Sequence, residues 1–98
     1  MPEGLPIAHR PERGRFVIEE GGRELGELVY TRSAGRVTIV HTEVTPALRN
    51  AGHAARLVDA AVKWARTQEL KVDATCSYAR AVLVRTPAYS DVRGGAAS

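Results

Sequence analysis

The chain has 98 residues, 44% apolar and 26% charged, which describes one small globular domain and excludes a disordered tail or a multidomain enzyme. Lys and Arg total 14 against 11 Asp and Glu, a net charge of +3, and the Arg residues are scattered, so no nucleic-acid groove is expected. The single cysteine, Cys76, excludes an internal disulfide and argues against a cysteine-built metal site.

Residues 1–14 carry Pro2, Pro6, Pro11, Gly4 and Gly14 and are expected to form a flexible lead-in. They have no apolar stretch of the secretory kind. No run in the chain approaches the roughly 18–20 apolar residues of a membrane span. The expected location is therefore cytoplasmic, without a membrane partner.

The folded domain is expected over 15–92. Arg15 to Glu19 is β-prone, and Gly21-Gly22 marks a hairpin turn. Glu24 to Thr31 predicts a second strand with Gly26, Leu28 and Tyr30 on one face. Arg32 to Gly35 is another turn, and Arg36 to Val44, rich in β-branched residues, is a third strand. The period then changes. Between Asn50 and Gln68 the apolar residues Ala51, Ala54, Ala55, Val58, Ala61, Val62 and Ala65 make one helical stripe. Asp59 and Lys63 stand four apart on the other face. Lys71 to Cys76 predicts a fourth strand. A second helix follows through Val84, with Ser77 as its expected cap, and Pro87 ends it. Residues 93–98 read as a flexible tail. The order β-β-β-α-β-α predicts a single α+β domain, an antiparallel sheet with helices packed on it.

The stretch from Val44 to Ala55 carries the chemistry. A strand ends, Arg49 sits in the turn, and a helix opens with small residues, Ala51, Gly52 and Ala54. Small residues let a ligand approach the backbone. Free N–H groups at a helix start form an anion site, and an arginine fork adds donors suited to phosphate. Packing alone also explains small residues there.

Arg49-Asn50-Ala51-Gly52-His53-Ala54 resembles the Arg/Gln-x-x-Gly-x-Gly/Ala acetyl-CoA loop of GNAT-type N-acetyltransferases. With Gly26 to Tyr30, His41 to Val44, Cys76-Ser77-Tyr78 and Pro87 to Val92, the chain resembles the small GNAT-like family of N-acetyltransferase domain-containing proteins. The resemblance implies a truncated GNAT fold and acetyl-CoA as cofactor. It implies that Arg49, Asn50, Ala51, Gly52, His53 and Ala54 hold the pyrophosphate. The pantetheine arm would pair with the strand end through Thr42 and Val44, and Tyr78 would border the pocket. His53 stands where the family usually has Leu or Ile.

The same resemblance brings Cys76 near the thioester, as an acetyl carrier or a base, with a packed hydrophobe as the alternative. His41 would take a proton from the amine, or be a core histidine satisfied by backbone. Tyr78 would protonate the leaving thiolate or cover the pocket. The expected activity moves acetyl from acetyl-CoA to an amine, with room for a bulky acceptor such as a protein or polyamine. A CoA-binding module without catalysis and an interaction domain derived from the fold remain the alternatives. A monomer or weak dimer is expected.

Overall fold

The structure, a computed structural model, describes residues 5–48 and 52–93. Five strands form one sheet in chain order: β1 (Ile7–Arg10), β2 (Arg15–Glu20), β3 (Arg23–Ser33), β4 (Arg36–Val44) and β5 (Lys71–Ala74). Helix α1 (His53–Thr67) joins β4 to β5, and α2 (Ser77–Arg85) follows β5. Among the described residues no helix is long and apolar enough to cross a membrane.

The connections dictate the directions. A 3-10 turn at Pro11–Arg13 and the two-residue turns at Gly21-Gly22 and Ala34-Gly35 reverse the chain, so β1 to β4 run antiparallel. The long α1 crossover returns the chain to the same end, so β5 lies parallel to β4. Gly26, Leu28 and Tyr30 do share the inner face, with Leu28 and Tyr30 buried.

One core fills the inner face. Phe16, Ile18, Leu28, Val37, Ile39 and Val72 from the strands meet Leu57, Val58, Ala61, Val62 and Ala65 of α1. Ala79, Val82 and Leu83 of α2 join the same cluster. Full burial of Leu57, Val58 and Val62 contributes roughly 1.5–3 kcal/mol each as an upper bound. Alanines at 61 and 65 let the helix axis approach the sheet closely. The Lys63–Asp59 pair forms at 3.0 Å on the exposed side of α1. After α2 the chain returns along β5, where the Val72 N–H donates to the Val92 carbonyl at 2.6 Å and Arg93 bridges Val72.

Two expectations are corrected. Residues 7–10, expected within the lead-in, form the edge strand β1. Its flanking prolines are compatible with an edge position. A tertiary contact invisible to local patterning holds it there: the His9 ring stacks on Phe16 at 4.0 Å with planes 1° apart. His9 Nε2 lies 2.7 Å from the Tyr30 hydroxyl, and the Trp64 ring meets His9 edge-on at 4.6 Å. The second correction concerns α2, whose N-cap is Cys76; Ser77 is already the first helical residue, and no side chain caps the turn.

Burial lowers the pKa of His9 from its ordinary 6.5, against a smaller opposing pull from Glu12. A depressed pKa means that the neutral ring is favoured in the folded state. Its contribution to stability is complete above pH 6.5 and is lost as pH falls through the lower folded value. Urea unfolding followed by the emission of Trp64, the single tryptophan, is expected to show stability dropping below pH 6.5. The His9→Phe variant is expected to have a flatter profile; equal slopes in the two proteins would remove His9 as the cause.

Candidate active site

The site begins where β4 and β5 part. They pair only from Arg36 with Lys71 to Ile39 with Ala74. The Ile39 carbonyl then accepts both the Thr75 N–H, at 3.0 Å, and the Cys76 N–H, at 3.3 Å, as the chain turns into α2. At the same level β4 bulges. Val29 faces His41 and Tyr30 faces Ile39, which leaves Val40 as an extra residue. A bulge bends its strand and switches which residues face which side. Beyond it the Thr45 N–H donates to the Leu25 carbonyl at 2.9 Å. Antiparallel alternation therefore turns the backbone groups of Thr42 and Val44 away from β3, toward the side that β5 has left.

Gly26 seats that strand end. It lies opposite Val44, and a Cβ there would come within 2.9 Å of Val44 Cγ1 and 3.2 Å of the Glu43 carbonyl oxygen. No larger residue fits without shifting Val44, which is buried.

The opening of α1 supplies the second part. Gly52 is the N-cap at φ 82, a conformation that favours glycine. The turn has no side-chain cap and no acidic residue. A Cβ at Gly52 would meet nothing within 4 Å, so the space in front of it is open among the described residues. His53, the first residue of α1, is buried, at 6% exposed. Its Nδ1 lies 3.2 Å from Arg56 Nη1. Ala54 packs against the core. Arg49, Asn50 and Ala51 lie outside the described residues.

Cys76 and Thr42 are brought together across the gap. The Cys76 thiol donates to Thr42 Oγ1 at 3.7 Å, and its side chain also packs against the core. Tyr78, in the first turn of α2, is exposed. His41 is not a core histidine. Its side chain is 49% exposed on the outer sheet face, with Nε2 at 3.1 Å from Glu43 Oε1 and 3.9 Å from Glu27 Oε2. No hydrogen bond among the described residues joins it to Cys76.

The glutamates were missed in the sequence, although His41 and Glu43 are two apart in a strand and must share a face. Glu27 faces Glu43 across the β3–β4 pair. It is clamped by Arg15, whose Nε and Nη2 donate to Glu27 Oε1 at 3.0 and 2.6 Å; Nη2 also donates to Glu24 Oε1 at 2.7 Å. Glu24, Glu27, Glu43, Gly26, Val44 and Pro46 are among the residues lining an open cleft of about 320 Å³ at this end of the sheet.

A split parallel pair beside an uncapped, glycine-led helix start defines a class of fold seen in known proteins. The family model of GCN5-related N-acetyl-transferases matches residues 15–92, and the chain belongs to that family. It is similar to a GCN5-like N-acetyltransferase candidate from Staphylococcus aureus solved by NMR. The two share 31% identity and a TM-score of 0.75, over 91% of this chain and 87% of that one. The fold is also shared with an IAA acetyltransferase from Bacillus cereus, at 21% identity and a TM-score of 0.60, over 76% of this chain and 54% of that one. A third likeness is to N-acetylglutamate synthase from Neisseria gonorrhoeae in complex with coenzyme A and N-acetyl-glutamate. There the identity is 20% and the TM-score 0.57, over 69% of this chain and 19% of that one. A comparison with curated proteins found no match.

Proposed function

We propose that the chain is an acetyl-CoA-dependent N-acetyltransferase acting on a positively charged amine. The observation that carries this reading is the gap between β4 and β5, where the backbone groups of Thr42 and Val44 have no strand partner among the described residues, with the start of α1 beside it. The arrangement fits the cofactor chemically. An extended amide-bearing arm matches the outward backbone groups of Thr42 and Val44, and an anionic pyrophosphate matches the N–H groups of the opening turn at Gly52, His53 and Ala54. In this reading Arg49, Asn50 and Ala51 complete the phosphate loop.

Bound acetyl-CoA supplies an acetyl group activated as a thioester. The residues of the chain do the rest. Among the described residues the carboxylates of Glu24, Glu27 and Glu43 outnumber their one guanidinium partner, Arg15, and so attract a protein or polyamine ammonium to the cleft. His41 removes the proton that the ammonium must lose before nitrogen can attack. As a C–N bond replaces the C–S bond, the Tyr78 hydroxyl or water relays the second proton of the attacking nitrogen to the departing sulfur, giving up one proton and regaining another. Cys76 shapes the floor of the gap with Thr42, and transfer is direct. Positioning supplies most of the rate.

Two variants at one backbone position test phosphate binding. Asn and Asp tolerate the left-handed region similarly, so Gly52→Asn and Gly52→Asp carry like strain and differ by one charge. Calorimetry is expected to show CoA affinity about tenfold or more weaker for Gly52→Asp than for Gly52→Asn. Equal affinities would remove the helix start as the phosphate site.

Direct transfer makes its own prediction. Incubation with acetyl-CoA and no acceptor is expected to leave the protein mass unchanged, and Cys76→Ala to keep turnover while costing about 1 kcal/mol of stability. A hydroxylamine-sensitive acetyl group on Cys76, formed at the turnover rate, would replace direct transfer with a covalent carrier.

A further inference from the structure

The start of α1 has no cap side chain of its own, yet its first residue, His53, is buried. Arg56, one turn further on, anchors it. The Arg56 backbone N–H donates to the Gly52 carbonyl at 3.1 Å. Its guanidinium forks: Nη2 donates to the Leu5 carbonyl at 2.7 Å, and Nη1 donates to His53 Nδ1 at 3.2 Å. A guanidinium has donors only, so in this contact Nδ1 is the acceptor.

Leu5 is fixed in turn. Its side chain packs against the core, the neighbouring Pro6 carbonyl accepts the Glu19 N–H at 3.2 Å, and Ile7 begins the pairing of β1 with β2. One line of contacts therefore runs from β2 through the segment ahead of β1 to Arg56 and His53. It joins residues 51 apart in sequence, Leu5 and Arg56. Both terminal nitrogens of Arg56 are turned to acceptors within the protein, so it acts through the turn and not as a clamp on a phosphate.

We infer that Arg56 is a positioning residue that braces the opening turn of α1 against the segment ahead of β1, and that cofactor affinity depends on this brace. The consequence for affinity rests on the acetyltransferase reading; the brace is a property of the free protein.

The test uses the full chain, Arg56→Lys, Arg56→Gln, and deletion of residues 1–5 in both the wild-type and Arg56→Gln backgrounds. Cooperative unfolding with unchanged Trp64 emission marks the folded variants. In ligand-free protein, hydrogen exchange at the residue 56 and Leu57 amides is expected to quicken about tenfold in Arg56→Gln, the scale of one lost charge-assisted hydrogen bond, and less in Arg56→Lys, which keeps a charged donor group without the fork. The deletion is expected to quicken it in the wild type and to add little in Arg56→Gln. In turnover, KM for acetyl-CoA is expected to rise by a similar factor while kcat and the acceptor KM hold. Unchanged exchange in every variant, or a deletion effect equal in both backgrounds, would overturn the brace. Faster exchange in the variants of a chain that binds no CoA would keep the brace and overturn the acetyltransferase reading instead.

Discussion

The structure depends on the parting of β4 from β5. A parallel pair is stable only while it can exchange hydrogen bonds, and here it does so for four residues of each strand. Val40 bulges on one side, and on the other the chain turns at Cys76 into α2. The Ile39 carbonyl, accepting two N–H groups at once, closes the last shared position. Past that point β4 keeps its partner β3 and loses its partner β5. The result is a set of backbone donors and acceptors inside a folded domain with no strand opposite them among the described residues, the feature a peptide-like ligand arm can complete.

Everything around the gap keeps it open. Gly26 lets β3 hold the end of β4 where a side chain would push Val44 away. Alanines on α1 and α2 allow both helices into one core on the inner face, so the outer face stays free for the Arg15, Glu27, His41 and Glu43 cluster. The C-terminal segment adds a second restraint on α1. The Tyr89 hydroxyl donates to Asp59 Oδ1 at 2.8 Å, and burial together with that carboxylate pushes the Tyr89 hydroxyl up to about 12. Arg66 forks onto both oxygens of Asp91 at 2.9 Å. The crossover helix is thus held along its length by side chains from outside it, which suits an element whose first turn carries no cap.

Strong local periodicity made much of the fold readable. β4 was predicted at its observed bounds, Arg36–Val44, because β-branched residues fill it, and α1 followed from the spacing of Val58, Ala61, Val62 and Ala65. β1 was not readable, because four residues between prolines carry no pattern and their pairing depends on His9 stacking against Phe16. The placement of His41 turned on the bulge at Val40. Without it, alternation from Ile39 would put His41 on the buried face; with it, Thr42 and Val44 turn inward and His41 turns out. The role of Arg56 was not legible, since nothing local announces a contact with Leu5, 51 residues earlier. The small residues before α1 were legible as a candidate anion site on local grounds, while the resemblance of the ordered motif set tied them to acetyl-CoA.

Amide chemical shifts of the uniformly 15N-labelled protein, followed during a titration with CoA, test the central claim most directly. The account predicts saturable shifts at Thr42, Val44, the Gly52–Arg56 turn, Cys76 and Tyr78, with β1 and the β2–β3 hairpin unmoved. A titration that leaves those residues in place, or moves only the β1–β2 edge, would contradict it.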